Sequence, residues 1–262
     1  MALTVAQITA QLRTADAAAF AVLEKSLAAD GRKGVRAAVE AARKRLQAEA
    51  LEQTRIDSLY DYQNELAISH GGSVVLGLDE VGRGPIAGPL VVGGVVLVDQ
   101  PRIAGLNDSK QLKPERREEL SLEIKEHAIA WTVQYVAPEV IDSIGIAASL
   151  RKAFTAAIRA IESQGVKVDV VLLDGNPMHL DPREVNVVKG DAKCASVAAA
   201  SIVAKVDRDA YMCGLAEQYP EYGFEGNKGY GSQSHIEAIK QHGLSPVHRA
   251  TFCKSFDQPT LF

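Results

Sequence analysis

Residues 77–89 read GLDEVGRGPIAGP and lie between two apolar runs, SVVLGL at 73–78 and PLVVGGVVLV at 89–98. A glycine-rich segment after an apolar strand is typical of phosphate-binding loops, but a Walker loop would end in G-K-S/T, which this segment lacks. A dinucleotide fingerprint would run into a helix, whereas Gly84 is followed by Pro85 and then by a second strand. The segment therefore predicts a strand-to-strand connection and argues against both nucleotide-binding motifs.

The paired acids Asp79 and Glu80 stand at the end of an otherwise apolar strand. Carboxylates in such a place are costly unless water, hydrogen bonds or a cation compensate them. Successive strand residues point to opposite faces, so we expect the backbone to leave strand geometry here, as Gly82 and Gly84 would permit. The glycine amides could also bind a phosphate or hydroxyl group beside Arg83. A polar hairpin tip in water is the alternative interpretation.

Two further acids also stand at strand ends. Asp174 closes the run VDVVLLD at 168–174, and Asp191 lies between the run EVNVV at 184–188 and a long alanine-rich helix. For Asp191 alone, the alternative is an ordinary helix N-cap. Four carboxylates in one place repel one another, and an all-oxygen ligand set favours Mg2+ or Mn2+. Two such ions held together are suited to phosphodiester hydrolysis.

Short β-branched runs and helical patterns fill the chain after residue 70. The candidate strands are 73–78, 89–98, 128–136, 168–173 and 184–188. Helical patterns occupy 114–127, 138–143, 146–163, 194–218 and 233–242. Three strands come first, and strands and helices alternate after them. This order predicts an α/β fold with a mixed five-stranded sheet flanked by helices.

The first 69 residues have a different composition, rich in alanine, leucine and charged residues and free of proline, which predicts helices. Thr4 and Gln7 have the spacing of a capping box. We therefore expect a small helical extension at 1–69 and a catalytic domain at 70–262. The basic side chains of the helical extension either lie on a solvated helix face or contact a nucleic-acid backbone. They are Arg32, Lys33, Arg36, Arg43, Lys44 and Arg45.

The overall composition is that of an ordinary globular protein, with 262 residues, 47% hydrophobic residues and a formal net charge of -4. An anionic partner would need a local basic patch. The three cysteines are widely spaced and suggest neither a disulfide framework nor a zinc site. The sequence shows no signal-peptide pattern and no apolar run long enough for a membrane span, so we expect a cytoplasmic protein.

Several ordered motifs resemble those of one known family. DEVGRGPIAGP is similar to the D-E-x-G-R-G-P-x-A-G-P signature of ribonuclease HII, the type 2 ribonuclease H. NDSKQL at 107–112, LLDGN at 172–176 and KGDAKCASVAAASIVAKVDRD at 189–209 resemble further elements of that family. YGFEGNKGYGSQSH at 222–235 and PVHRATF at 246–252 resemble its closing elements. The resemblance covers about residues 73–256.

The resemblance implies a ribonuclease H-like fold and an endonuclease for RNA–DNA hybrids that also cuts 5′ of single ribonucleotides in duplex DNA. The products would carry a 5′-phosphate and a 3′-hydroxyl, and the roles would be ribonucleotide excision repair and removal of RNA primers. Mg2+ or Mn2+ would bind in pairs at the acids. No obligate protein partner is evident. The resemblance implies these metal-binding and catalytic residues: Asp79, Glu80, Asp174 and Asp191.

The same resemblance implies the substrate contacts. Gly82, Arg83 and Gly84 would contact the ribonucleotide, since the backbone of a glycine loop can closely approach a 2′-hydroxyl, and Tyr230 would pack against the next sugar. Arg83 would act either through its side chain or mainly through its backbone. Tyr230 as an ordinary packed tyrosine is the alternative. The candidates for backbone phosphate contacts, each with the alternative of a solvated side chain, are Lys193 and Lys228, and with less support Lys110 and Arg249.

Other residues in the matched motifs have simpler interpretations. Ser196 and Ser201 lie on an alanine-rich helix and are expected to be close-packing residues. His235 and His248 are not expected to bind metal, since the all-oxygen set suffices. A catalytically silent hybrid-binding module is a second hypothesis, but it would require one of the four acids to be missing or misplaced, and all four are present.

Overall fold

The computed structural model describes residues 3–255. The strands are β1 (Val75–Val81), β2 (Leu90–Val96), β3 (Ala130–Val136), β4 (Val170–Asp174) and β5 (Glu184–Val187). The helices are α1 (Val5–Thr14), α2 (Ala17–Leu27), α3 (Lys33–Ser69), α4 (Pro114–His127), α5 (Pro138–Ile144), α6 (Ile146–Glu162), α7 (Ala195–Gln218), α8 (Phe224–Asn227), α9 (Gln233–His242) and α10 (Ala250–Cys253). The five strands and the helices α4, α5, α6, α7 and α9 lie within a few residues of the positions predicted from sequence, whereas α8 and α10 were not predicted.

The five strands form one mixed sheet in the order β3-β2-β1-β4-β5. β1, β2 and β3 pair antiparallel, whereas β4 pairs parallel to β1 and β5 parallel to β4. The short connection 82–89 allows β1 and β2 to pair antiparallel, whereas β2 and β3 are joined by a longer segment that contains α4. The parallel part requires the α5–α6 crossover before β4. The predicted mixed five-stranded sheet is confirmed.

Helix α7 packs directly on the centre of the sheet because two strand residues facing it are glycines. A Cβ on Gly77 would overlap the backbone of Ser196, and one on Gly93 would overlap the carbonyl oxygen of Ala200. The facing side of α7 is rich in alanine and fully buried. Because glycine has no side chain and alanine has a small one, the backbones of α7 and of the sheet can approach closely. This close contact fixes the position of α7 on the sheet, and with it the position of the residues just before its N-terminal end.

The opposite face of the sheet is covered by α6. Its buried side chains, among them Phe154 and Ile161, pack on Leu76 and Leu78 of β1 in the main hydrophobic core. Side chains of β1 alternate between the two faces, so Gly77 meets α7 while Leu76 and Leu78 meet α6. The central strands are thus buried on both sides.

Residue contacts divide the chain into two units, Met1–Asp57 and Ser58–Phe262. The first unit contains α1, α2 and most of α3, with Phe20, Leu12 and Val35 in its core. Thr4 caps α1, and the capping box with Gln7 predicted from sequence is confirmed. Among the described residues, no helix has the length and apolar character needed to cross a bilayer.

Candidate active site

The four predicted acids meet at one edge of the sheet. Leu78 of β1 pairs with Leu173 of β4, so the next residue of each parallel strand, Asp79 and Asp174, are neighbours. The Gly190 amide donates to Asp174 Oδ1 at 2.7 Å, which places the short 3-10 turn 190–192, and with it Asp191, at the same edge. We call Asp79, Glu80, Asp174 and Asp191 the acid cluster.

Burial and hydrogen bonds hold the acid cluster in place. Asp79 and Asp191 are 7% and 8% exposed, and Glu80 and Asp174 are half-buried. Asp79 Oδ1 accepts from the Glu80 amide at 2.8 Å, and Ser201 of α7 also hydrogen-bonds the Asp79 carboxylate. Ser201 is positioned in turn by Ser109, with 2.9 Å between their hydroxyl oxygens.

Burial and neighbouring carboxylates raise the pKa of three acids in the cluster, Asp79, Glu80 and Asp191. Burial raises the pKa of Asp79 well above its ordinary value, and the charges of Glu80, Asp174 and Asp191 add to the shift. Burial also raises the pKa of Glu80, while Arg83 opposes the rise and Asp174 adds to it. A buried group of like charges is stable at neutral pH only with added protons or cations.

Asp108 is a fifth acid at this edge. Burial raises the pKa of Asp191, and the charge of Asp108 is the next cause of the rise. Burial opposes a rise in the pKa of Lys110, but the charges of Asp108 and Asp191 outweigh it and raise that pKa. Asp108 also caps a short turn by accepting from the Lys110 amide at 2.9 Å.

The donor set fits a hard divalent cation. Each of the four acids offers carboxylate oxygens, and cationic compensation is partial, with Arg83 Nη1 3.8 Å from Glu80 Oε1. Within residues 3–255, however, no three acidic, histidine or cysteine side chains are arranged to hold an ion by themselves. In proteins, Mg2+ commonly binds one or two carboxylates and completes its shell with water and substrate phosphate.

Two expectations about the acids were wrong. β1 continues through Val81, with Asp79 opposite Gly93 and Glu80 opposite Val92, so the backbone does not leave strand geometry at the acids. The antiparallel partner β2 keeps the ladder intact, and the turn comes only at Gly82. The N-cap alternative for Asp191 is also wrong, since α7 begins at Ala195 with Cys194 as its N-cap.

The glycine loop, residues 82–89, leaves the same edge of the sheet. Gly82 is buried with a φ of 85°, and Arg83 and Gly84 are exposed. A Cβ on Gly82 would overlap Arg208 Nε, whereas one on Gly84 would have no heavy atom within 4 Å. The two glycines therefore serve different needs. Gly82 is required by packing inside the protein, and Gly84 leaves open space outside it.

A second loop, the KGYG turn at 228–231, packs on the glycine loop. The amide of Ile86 donates to Gly229 O at 2.9 Å. Tyr230 is 47% exposed, so it is not an ordinary packed tyrosine. Lys228 is half-buried, and its ammonium donates to Glu225 O at 2.6 Å and contacts Cys213 Sγ.

The other predicted side chains are placed as follows. Lys193 is exposed two residues beyond Asp191, and Lys110 is exposed near the acid cluster. Arg249, considered as a phosphate contact, is fully buried, so that interpretation is wrong. Ser201 was expected only to pack, but it hydrogen-bonds Asp79. The signal missed in the sequence was its helical register, since it projects from α7 toward β1.

His235 and His248 form a buried pair. Their Nε2 atoms lie 3.0 Å apart, His235 Nδ1 lies 2.8 Å from Tyr230 O, and Ser245 N donates to His248 Nδ1 at 2.9 Å. All four ring nitrogens are therefore used in one chain of hydrogen bonds when both rings are neutral. This series of hydrogen bonds links the KGYG turn to residues 245–249.

The basic side chains of the N-terminal helices are largely neutralised by acids. Arg32 pairs with Asp30 at 2.6 Å and Arg45 with Glu49 at 2.8 Å. Arg43 bridges to two glutamates, Glu24 and Glu40, and Lys44 lies 3.9 Å from the second of them. These pairs favour the solvated-face interpretation of the helices over a nucleic-acid contact.

Comparison with known proteins gives consistent matches. The family profile described as Ribonuclease HII matches residues 76–255, and the Ribonuclease HII N-terminal domain profile matches residues 4–67. A ribonuclease HII of Halalkalibacterium halodurans is 40% identical over 250 residues, which are 95% of this chain and 94% of that protein.

Two solved archaeal structures also match, each at 30% identity. The ribonuclease H2 of Pyrococcus horikoshii OT3 has a TM-score of 0.61 and covers 70% of this chain and 97% of its own. The ribonuclease HII solved in a PCNA complex from Archaeoglobus fulgidus has a TM-score of 0.60 and covers 71% of this chain and 98% of its own. The catalytic part of the fold is therefore ribonuclease H-like.

Proposed function

The chain belongs to the ribonuclease HII family, and on that premise we propose that it hydrolyses the RNA strand of RNA–DNA hybrids and cuts 5′ of single ribonucleotides embedded in duplex DNA. Family membership makes it a ribonuclease H that acts on nucleic acid. The products carry a 5′-phosphate and a 3′-hydroxyl, and the cellular roles are ribonucleotide excision repair and primer removal. The observation that carries the proposal is the acid cluster beside a loop with outward-facing backbone.

The acid cluster is the catalytic centre of this proposal. Its four carboxylates would hold two Mg2+ or Mn2+ ions, which when bound activate a water molecule and stabilise the leaving oxygen of the phosphodiester. The Glu80 amide and the Ser201 hydroxyl orient Asp79 through hydrogen bonds. The Gly190 amide does the same for Asp174. These bonds restrict the side chains before substrate arrives, which is how a site is preorganised.

The glycine loop supplies recognition of the ribonucleotide. Within residues 3–255 the amides of Arg83 and Gly84 donate to no intramolecular acceptor, and in this proposal they donate to the 2′-hydroxyl and its phosphate. A 2′-hydroxyl is both donor and acceptor and is the local difference between RNA and DNA. Tyr230, exposed on the adjacent turn, packs against the sugar that follows. An unpaired 2′-hydroxyl there would disfavour RNA at the next position.

Binding of the duplex backbone falls to local basic residues, since the chain as a whole is acidic. We assign Lys193 and Lys228 to phosphates flanking the cut, with Lys110 nearer the acid cluster. Residues 70–262 form the catalytic domain of this proposal, and residues 1–69 form a helical extension. No disulfide joins cysteines in residues 3–255, which suits the reducing cytoplasm.

The test uses Asp79→Asn and a matched control on the same sheet. Asp169 stands before β4, at the opposite end of that strand from Asp174, and accepts from the amides of Ser73 and Val74. We expect Asp79→Asn to abolish cleavage of a duplex with one ribonucleotide in either Mg2+ or Mn2+, while Asp169→Asn stays active. Full activity of Asp79→Asn would refute the proposal. Tight hybrid binding by the wild type without cleavage would instead favour a silent binding module.

A further inference from the structure

Two fully buried arginines lie beneath the glycine loop, Arg208 of α7 and Arg249. Neither forms an ion pair with a carboxylate within residues 3–255, and each donates three hydrogen bonds to backbone carbonyls. Buried charges without a counter-ion are costly, so such an arrangement needs full hydrogen bonding to persist. All carbonyls that they bind belong to the glycine loop, Pro89 included, or to Lys228 of the KGYG turn.

Arg249 binds the carbonyls that decide which way the glycine loop faces. Its Nη2 donates to Gly82 O at 2.7 Å, its Nη1 to Arg83 O at 3.2 Å and its Nε to Gly88 O at 3.0 Å. In a trans peptide unit the C=O and the following N–H point in opposite directions. Because the carbonyls of Gly82 and Arg83 point inward to the guanidinium, the amides of Arg83 and Gly84 point outward.

Arg208 connects the glycine loop to the KGYG turn. Its Nε donates to Pro89 O at 3.0 Å, its Nη1 to Lys228 O at 3.0 Å and its Nη2 to Ala87 O at 3.3 Å. The rigid fork of five donors allows one arginine to bridge separate carbonyls, which a lysine ammonium on a flexible stem does not reproduce. The two substrate loops are thus held by guanidinium groups that are far from solvent.

We propose that Arg249 is a positioning residue for recognition of the 2′-hydroxyl: it fixes the peptide units of the glycine loop with their amides outward and strengthens those amides as donors. The inference rests on the proposed function. A positive charge at the carbonyl end of a peptide unit polarises it and makes its N–H a better donor toward a phosphate or hydroxyl oxygen. Arg208 contributes to the same positioning by hydrogen-bonding the carbonyls of Ala87 and Pro89 at the C-terminal end of the glycine loop.

The charge of Arg249 persists at neutral pH. Burial, and next the charge of Arg208, lower the pKa of Arg249 to about 9, which is still above neutrality. The guanidinium also lies 5.3 Å from the centre of the Phe252 ring, a distance at which the ring face adds stabilisation. The site therefore keeps a cation under the loop in the conditions in which the enzyme works.

The test measures binding in an Asp79→Asn background, in which we expect no cleavage. Affinity is measured for a duplex with one ribonucleotide and for the identical all-DNA duplex. The readout is the dissociation constant of the all-DNA duplex divided by that of the duplex with the ribonucleotide, so a larger ratio means a stronger preference for the ribonucleotide. We expect Arg249→Lys to reduce this ratio about tenfold, the value of one lost hydrogen bond to a charged or hydroxyl group. Arg249→Gln, which also removes the charge, should reduce it at least as much.

The ratio separates positioning from stability. A partly unfolded variant loses affinity for both duplexes by the same factor, so the ratio does not change. Leu215→Ala is the matched control, since Leu215 is buried in the hydrophobic cluster beneath the loops but binds none of their carbonyls. It should lose stability and keep the ratio.

Three results are decisive. A reduced ratio in the Arg249 variants with an unchanged ratio in Leu215→Ala supports the inference. An unchanged ratio in both Arg249 variants overturns it and leaves the proposed function intact. If Asp79→Asn alone shows no preference for the ribonucleotide, recognition of the 2′-hydroxyl itself is refuted, and the inference falls with it.

Discussion

Substitution by alanine is expected to have different effects at two glycines of the glycine loop, Gly82 and Gly84. Gly82 is buried with a φ of 85°, and a Cβ there would overlap Arg208 Nε and lie 2.7 Å from Pro89 O. Gly84 is exposed, and a Cβ there would have no heavy atom within 4 Å. We therefore expect Gly82→Ala to damage the fold and Gly84→Ala to damage the reaction.

The magnitudes follow from these environments. An alanine in the left-handed region costs about 1–2 kcal/mol, and overpacking against Arg208 and the Pro89 carbonyl costs about 1–3 kcal/mol. Gly82→Ala should then lower the free energy of unfolding by about 2–5 kcal/mol. Gly84→Ala is an unhindered surface change and should stay within about 0.5 kcal/mol of the wild type. Its methyl group would occupy the space assigned to the ribose, and we expect about 100-fold slower cleavage.

The assay combines urea denaturation with single-turnover cleavage of a duplex containing one ribonucleotide. Gly105→Ala is a matched control for Gly82→Ala, because Gly105 also has a φ of 85° but lies outside the acid cluster and both loops. It should lose stability and keep the cleavage rate of the folded enzyme. A Gly84→Ala enzyme that cleaves at the wild-type rate, or a Gly82→Ala enzyme with unchanged stability, would refute the reasoning about the loop.

Three further predictions concern other parts of the molecule. Burial lowers the pKa of His248 to about 4, below the unfolded value of about 6.5, so stability present above pH 6.5 is lost as the pH falls toward 4. In urea denaturation between pH 7 and pH 5, the wild type should lose about 2 kcal/mol more of its free energy of unfolding than His248→Gln does. Arg43→Gln with Arg45→Gln should leave the salt slope of duplex binding unchanged, because acids neutralise both charges; a slope reduced by about 2 would show that the helices bind the backbone. Tyr230→Ala should raise cleavage of substrates with consecutive ribonucleotides relative to single ones, measured as a ratio of rates, and an unchanged ratio would remove Tyr230 from recognition.

Much of the fold could be predicted because local signals agree with tertiary structure. The β-branched runs form strands in the structure, as predicted. Asp79 and Asp174 lie close together because β1 and β4 are parallel, and parallel strands place equivalent ends at the same edge of a sheet. The glycine and alanine content of β1 and α7 is explained only by their contact. Sequence alone could not show that the ladder with β2 extends through Val81 past the paired acids.

The site could be predicted less completely, for physical reasons. In sequence Arg249 resembles any exposed phosphate ligand, and its burial depends on contact with Gly82 and Arg83 of the glycine loop, which are distant in the chain. Asp108 adds to the acid cluster through a short turn whose position is set by tertiary contacts. Whether Arg83 acts through its side chain or its backbone was open. The inward carbonyls favour the backbone, while the side chain lies close to Glu80.

Mapping the cut on a duplex with one ribonucleotide tests the central claim most directly. The labelled duplex is incubated with Mg2+ or Mn2+, beside an all-DNA duplex and the Asp79→Asn enzyme. We predict one cut, on the 5′ side of the ribonucleotide, that leaves a 3′-hydroxyl on the upstream fragment and a 5′-phosphate on the ribonucleotide. The all-DNA duplex and the variant should give no product. A cut at another position, or equal cutting of the all-DNA duplex, would contradict the account.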